Sequence, residues 1–193
     1  MSYLTLDQAR AASGLAGRTF LAEQELRKFA SAPRSQRFDV FLSHSRLDAD
    51  VIVGVKTLIE AGGLSVYVDW IDDPQLDRRN VTPTTADVLR NRMRSSETMV
   101  FATSESSPDS RWMPWELGFF DGQKPGHIGI LPLVPQTGAQ FRGQEYIGLY
   151  PVIEDVSDLP RRPRLGIRTG GNGIRVETHP LIALKTQRFT VHA

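Results

Sequence analysis

Phe38-Asp39-Val40-Phe41-Leu42-Ser43 runs straight into the polar triplet His44-Ser45-Arg46, and the reading of these nine residues decides the fold. Six residues dominated by Phe, Val and Leu suit a short strand covered on both faces. Asp48 and Asp50 then open a helix whose apolar stripe, Val51, Val55, Leu58, Ile59 and Gly62, repeats at helical spacing and stops at Gly62-Gly63. A second strand comes next, over Leu64-Ser65-Val66-Tyr67-Val68-Asp69. A strand, a helix and another strand in this order are the trace of a parallel sheet with helices on its faces.

The same alternation continues. Asp72 to Thr82 is polar, contains Pro74 and reads as a mobile loop. Thr84 or Thr85 is the expected cap of a helix to about Met93, and Glu97 to Thr103 is the third strand. Ser104 to Ser110 leads into a helix beginning near Arg111. His127 to Val134 reads as the fourth strand and Tyr150 to Glu154 as the fifth. The expected body, residues 37–159, is therefore a doubly wound α/β domain on a five-stranded parallel sheet.

Residues 1–36 read as a helical extension, with helices over Thr5 to Ala12 and Thr19 to Ala30. Residues 160–193 form a C-terminal extension in which two short strands flank Gly170-Gly171-Asn172-Gly173 as a hairpin would. That glycine cluster is no phosphate loop, because no helix and no Lys-Ser or Lys-Thr pair comes after it.

Composition limits what the chain can do. With 193 residues, 40% of them apolar, there is material for one well-filled core. No cysteine is present and the four histidines are scattered, which argues against a metal centre. No basic leader precedes an apolar run and no apolar stretch is long enough to span a bilayer, so a soluble, cytoplasmic protein without a membrane partner is expected. Residues 37–159 carry eleven basic against eighteen acidic side chains, whereas residues 160–193 carry seven against one. The basic tail is expected to pair with its own acidic body and not with nucleic acid.

In open parallel sheets, ligands bind outside the carboxyl ends of the strands. The residues there are Ser43, His44 and Arg46 after the first strand, Asp69 and Trp70 after the second, and Ser104 to Trp115 after the third. In Ser110-Arg111-Trp112-Met113-Pro114-Trp115-Glu116-Leu117, Ser110 is placed to cap and Pro114 fits only a first turn. Trp112 and Glu116 then share a helix face, which sets an acid beside a flat indole. The helix N-terminus favours an anion there and the indole desolvates it, a balance the sequence leaves open. His44 could equally bond a neighbouring loop, and Arg46 could be a solvated charge. Trp115 is expected to turn toward the sheet as core.

Three motifs in order, Phe38 to Ser45, Leu64 to Asp69, and Ser110 to Trp112 with Trp115 to Leu117, resemble the Toll/interleukin-1 receptor (TIR) domain, particularly its small bacterial form. The resemblance spans roughly Phe38 to Glu154. It implies a flavodoxin-like sheet, a loop after the second strand that mediates self-association, and cleavage of the nicotinamide-ribose bond of NAD+ as substrate, with no separate cofactor. Glu116 is the implied catalytic residue, with Trp112 as a stacking wall. Ser43, His44 and Arg46 are candidates around nicotinamide or phosphate, and Asp69 and Trp70 around the nucleotide. Nicotinamide leaves as a neutral ring, so one carboxylate facing an oxocarbenium-like sugar suffices.

For a stand-alone bacterial unit the resemblance further implies antiphage defence, through an ADP-ribose-type or cyclic nucleotide that acts on a separate effector. Two other functions stay open at this point: a non-catalytic TIR scaffold, and an enzyme like the nucleoside deoxyribosyltransferases.

Overall fold

A computed structural model describes residues 2–14, 33, 35–76, 82–105, 107–141, 143–157, 163–171 and 174–189. The helix expected over Thr19 to Ala30 lies outside them, as do residues 77–81 of the expected mobile loop.

The body has the predicted alternation. Strands β2 (Phe38–Ser43), β3 (Val66–Tyr67), β4 (Ser96–Thr103), β5 (Ile128–Val134) and β6 (Val152–Asp155) pair in parallel in the order β3-β2-β4-β5-β6. This is the flavodoxin order, and the direction of winding reverses between β2 and β4. Helix α2 (Ala49–Ala61) covers one face; α4 (Pro83–Arg94) and α5 (Met113–Gln123) cover the other. Period-two alternation divides the core accordingly. Val40, Leu42, Val100, Ala102 and Leu131 pack with Val51, Ile52 and Val55 of α2, while Phe41, Met99, Phe101 and Ile130 pack with Leu89 of α4 and with Met113, Leu117 and Phe120 of α5.

The sheet is larger than five strands. Strand β1 (Leu4–Thr5) pairs in parallel with Leu133 and Val134 of β5, and Asp155 N donates to Ser2 O at 2.8 Å. Because β5 and β6 pair only at Ile130 and Val152, β1 fills the gap that opens between them toward their carboxyl ends. Thr5 then caps helix α1, whose described part is residues 6–14: Gln8 N donates to Thr5 Oγ1 at 3.1 Å and Thr5 N to Gln8 Oε1 at 2.9 Å, a reciprocal capping box. Gln8 Nε2 also reaches Asp155 at 3.1 Å. Helix α1 lies so close to α2 that a Cβ on Gly54 would fall 1.7 Å from the Ala9 carbonyl oxygen.

At the other end, β7 (Leu165–Gly171) and β8 (Ile174–Pro180) form the expected antiparallel hairpin, which continues the sheet beyond β6. The chain then turns back under the sheet through the single-turn helix α6 (Ala183–Thr186), adding Leu181, Leu184 and Phe189 to the α2-side core. Two tail cations meet carboxylates of the body: Arg168 lies 3.3 Å from Glu154, and Lys185 pairs with Asp39.

Three local expectations need correction. Thr82, and neither Thr84 nor Thr85, caps α4; its hydroxyl accepts from Thr85 N at 3.1 Å, with Pro83 just inside the helix where its missing N–H is harmless. Helix α5 starts at Met113, so Glu116 falls in its first turn. Of the loop expected to be mobile, Asp72 to Thr82, the described beginning is anchored: Asp72 ends a helical turn, α3 (Asp69–Asp72), and buried Asp73 takes a two-point bond from Arg92 of α4 at 2.8 and 2.9 Å. Tyr67 OH donates to the same carboxylate at 2.9 Å, and burial together with that anion pushes the phenol's pKa well up.

Gly54→Ala is expected to push α1 off α2 and cost about 1–3 kcal/mol, read from urea unfolding; an unchanged midpoint would mean that the two helices do not meet in solution. At Asp39, partial burial opposes the charge, but bonds from Lys185 and Ser65 outweigh it and hold the pKa below 3.8. A depressed folded pKa stabilises above the unfolded value and loses that contribution as pH falls through the folded one. The stability difference between the parent protein and Lys185→Met is therefore expected above about pH 4 and to vanish as pH falls below 3.8, measured by denaturation across the acid range.

Candidate active site

Ser43 is the last residue of β2, at the point where winding reverses, and alternation turns its side chain with Phe41 toward α5. There its Oγ donates to Glu116 Oε2 at 2.6 Å. Helix α5 brings the acid to that place: Ser110 Oγ accepts from Met113 N at 3.3 Å, Pro114 sits in the opening turn, and Glu116 N closes the first helical bond to Trp112 O at 2.8 Å. Glu116 has 0% of its surface exposed and Ser43 1%. Burying a carboxylate is tolerable only with donors and favourable dipoles, and the Ser43 hydroxyl and the N-terminal end of α5 are both present.

The other candidates separate from this pair. His44 turns to the opposite side of the sheet, where its Nδ1 contacts Leu42 O at 2.9 Å and its Nε2 accepts from Trp70 Nε1 at 3.0 Å. The bond from Trp70 uses the lone pair of Nε2, which leaves Nδ1 as the nitrogen that donates to Leu42 O. Asp69 Oδ1 lies 3.5 Å from the same Nε2. His44, Asp69 and Trp70 thus form a cluster that ties the end of β2 to α3, with His44 and Asp69 buried and Trp70 half-buried. Arg46 is exposed at the rim.

Trp112 sets its ring edge-on to Trp115, centroids 5.4 Å apart. Trp115 stacks on Phe119 and lies under the Arg90 guanidinium of α4, with Arg94 over Phe119. The indoles and Phe119 therefore build a half-buried aromatic and cationic seam between α4 and α5.

At the rim, Asp48, Phe141, Tyr146 and Ile147 are not among the sequence candidates. Asp48 accepts from Ser104 Oγ at 2.7 Å and Ser107 Oγ accepts from Ser104 N at 2.8 Å, joining the segments after β2 and β4. Phe141, Tyr146 and Ile147, after β5, border a small cavity with Phe101 and Ser107. The signal for these three is their place beyond the carboxyl end of β5, the same rule that singles out the residues after the first three predicted strands. Among the described residues no three His, Asp or Glu side chains gather as a metal ion would need, and no helix is long and apolar enough to cross a membrane.

A flavodoxin-order sheet with a hydrogen-bonded carboxylate buried at its reversal point is the α/β arrangement that the resemblance to TIR domains leads one to expect. No protein-family model matches the chain. Curated relatives do. The chain is 52% identical over 121 residues to the "Probable 3' cyclic ADP-D-ribose synthase ThsB'" of Bacillus cereus (strain MSX-D12), a match covering 62% of each protein. It is 35% identical over 83 residues to the "Putative cyclic ADP-D-ribose synthase TIR2" of Cytobacillus dafuensis, covering 42% of this chain and 22% of that protein. The matches thus span less than two thirds of either relative. In the order of its sheet and over these stretches of sequence, the chain resembles TIR proteins.

Ser43→Ala is expected to lower stability by about 1–3 kcal/mol, because Glu116 loses a buried donor. A denaturation midpoint equal to that of the parent would show that this bond contributes nothing.

Proposed function

We propose that the chain cleaves the bond between nicotinamide and ribose in NAD+, with Glu116 as the catalytic carboxylate. The observation that carries this reading is the Ser43 to Glu116 hydrogen bond at the ligand-binding edge of the sheet. The C–N bond breaks with its electron pair leaving on nicotinamide, which departs neutral. The ribosyl cation left behind is faced by the Glu116 anion. An internal hydroxyl then closes on the anomeric carbon and releases one proton, giving a cyclic ADP-ribose-type nucleotide; water in its place gives ADP-ribose. The names of both relatives favour closure.

Glu116 has no exposed surface, so the dinucleotide reaches it only after the residues above it move. Self-association of TIR units is the trigger proposed for that opening. Exposed Arg46 is the cation offered to the pyrophosphate. The nucleotide product would signal to a separate effector in antiphage defence, a step that rests on resemblance.

Concentrated, purified protein is expected to release nicotinamide from NAD+, and Glu116→Gln to slow release by about 10²–10³-fold. Chromatography of the products separates closure from hydrolysis. Equal release by the variant would remove Glu116 from the mechanism. Oligomers that leave NAD+ intact would favour a scaffold, and base exchange on deoxynucleosides a deoxyribosyltransferase.

A further inference from the structure

We infer that the cavity of about 160 Å³ between the end of β4 and the segment after β5 seats the departing nicotinamide ring. This rests on the NAD+ reading above and assigns one part of the substrate to one place.

Position is the first argument. Phe101, on the cavity wall, is the ladder partner of Ser43 on the neighbouring strand, and partners in a ladder point to the same face. Adjacent strands lie about 4.8 Å apart, so the cavity begins one strand away from the Ser43 to Glu116 pair and on the same side of the sheet. A ring held there leaves its ribose bond beside the carboxylate.

Size is the second. An apolar cavity of about 150 Å³ takes up benzene, so this one holds a single six-membered ring and is small for a purine. The walls suit a flat heterocycle, with Phe101, Phe141 and Tyr146 supplying aromatic surface. Ser107 and Gln144 supply hydrogen-bonding groups of the kind a carboxamide needs, and Tyr146 OH holds the Gln144 amide by donating to its Oε1.

Charge is the third argument and ties the cavity to the reaction. None of the described residues lining it carries a formal charge. The pyridinium ring of NAD+ is cationic while bonded to ribose and neutral once the bond breaks. Described walls that are partly aromatic and carry no formal charge hold the neutral product better than the cationic ground state, and this difference lowers the barrier to departure.

The test uses two substitutions. A Cβ on Gly143 would lie 2.8 Å from the Phe141 ring and force that wall to shift, while exposed Gly143 itself needs no unusual backbone angle. Ser107→Ala removes one hydroxyl and leaves the shape. Nicotinamide is titrated by NMR into the Glu116→Gln protein, and separately used as a product inhibitor of NAD+ cleavage by the parent. Gly143→Ala is expected to weaken both at least tenfold, Ser107→Ala to weaken both less, and adenosine not to displace nicotinamide. Unchanged nicotinamide affinity in both variants, or displacement by adenosine, overturns the assignment. Should the parent protein leave NAD+ intact, the functional proposal falls separately; weakening of the direct titration by Gly143→Ala would still support the cavity as a nicotinamide seat, and the absence of weakening would still overturn it.

Discussion

A carboxylate sealed from water must be met by donors or it destabilises the fold, and at the rim of this sheet the Ser43 hydroxyl meets Glu116. Other features of the rim depend on that need. Strand β2 must end at residue 43 and in phase with Phe41 for the hydroxyl to face α5. Helix α5 must begin at Met113 for the acid to stand in its first turn. The seam of Trp112, Trp115 and Phe119 against Arg90 and Arg94 holds α5 beside α4, so helix packing and site geometry are set together.

Much of this is legible in the sequence because it is local. Strand β2 can be read to both of its ends, since six apolar-rich residues between polar neighbours admit little else. The stripe of α2 and its glycine stop are equally plain. The pairing of Ser43 with Glu116 is half legible: both stand out for lying at or after strand ends, but their mutual bond depends on register and helix phase. The same one-residue alternation explains why His44, next in sequence to Ser43, looks like its companion and yet turns the other way to Trp70.

The illegible part is long-range. Asp73 looks like one more loop carboxylate until α4 brings Arg92 to it, and acidic residues in a polar stretch are normally solvated. Thr5-Leu6-Asp7-Gln8 does carry a capping-box signature, so the first helix can be read. The two-residue strand ahead of it cannot, because Leu4 and Thr5 show no pattern of their own and acquire their place only from the divergence of β5 and β6.

That small strand has a consequence for how the chain is made. Residues 2–5 are translated more than a hundred residues before their partners, Leu133, Val134 and Asp155. The slot does not exist until those are made. Residues 2–5 thus wait unpaired while the intervening chain is made and reach their place by a long loop closure.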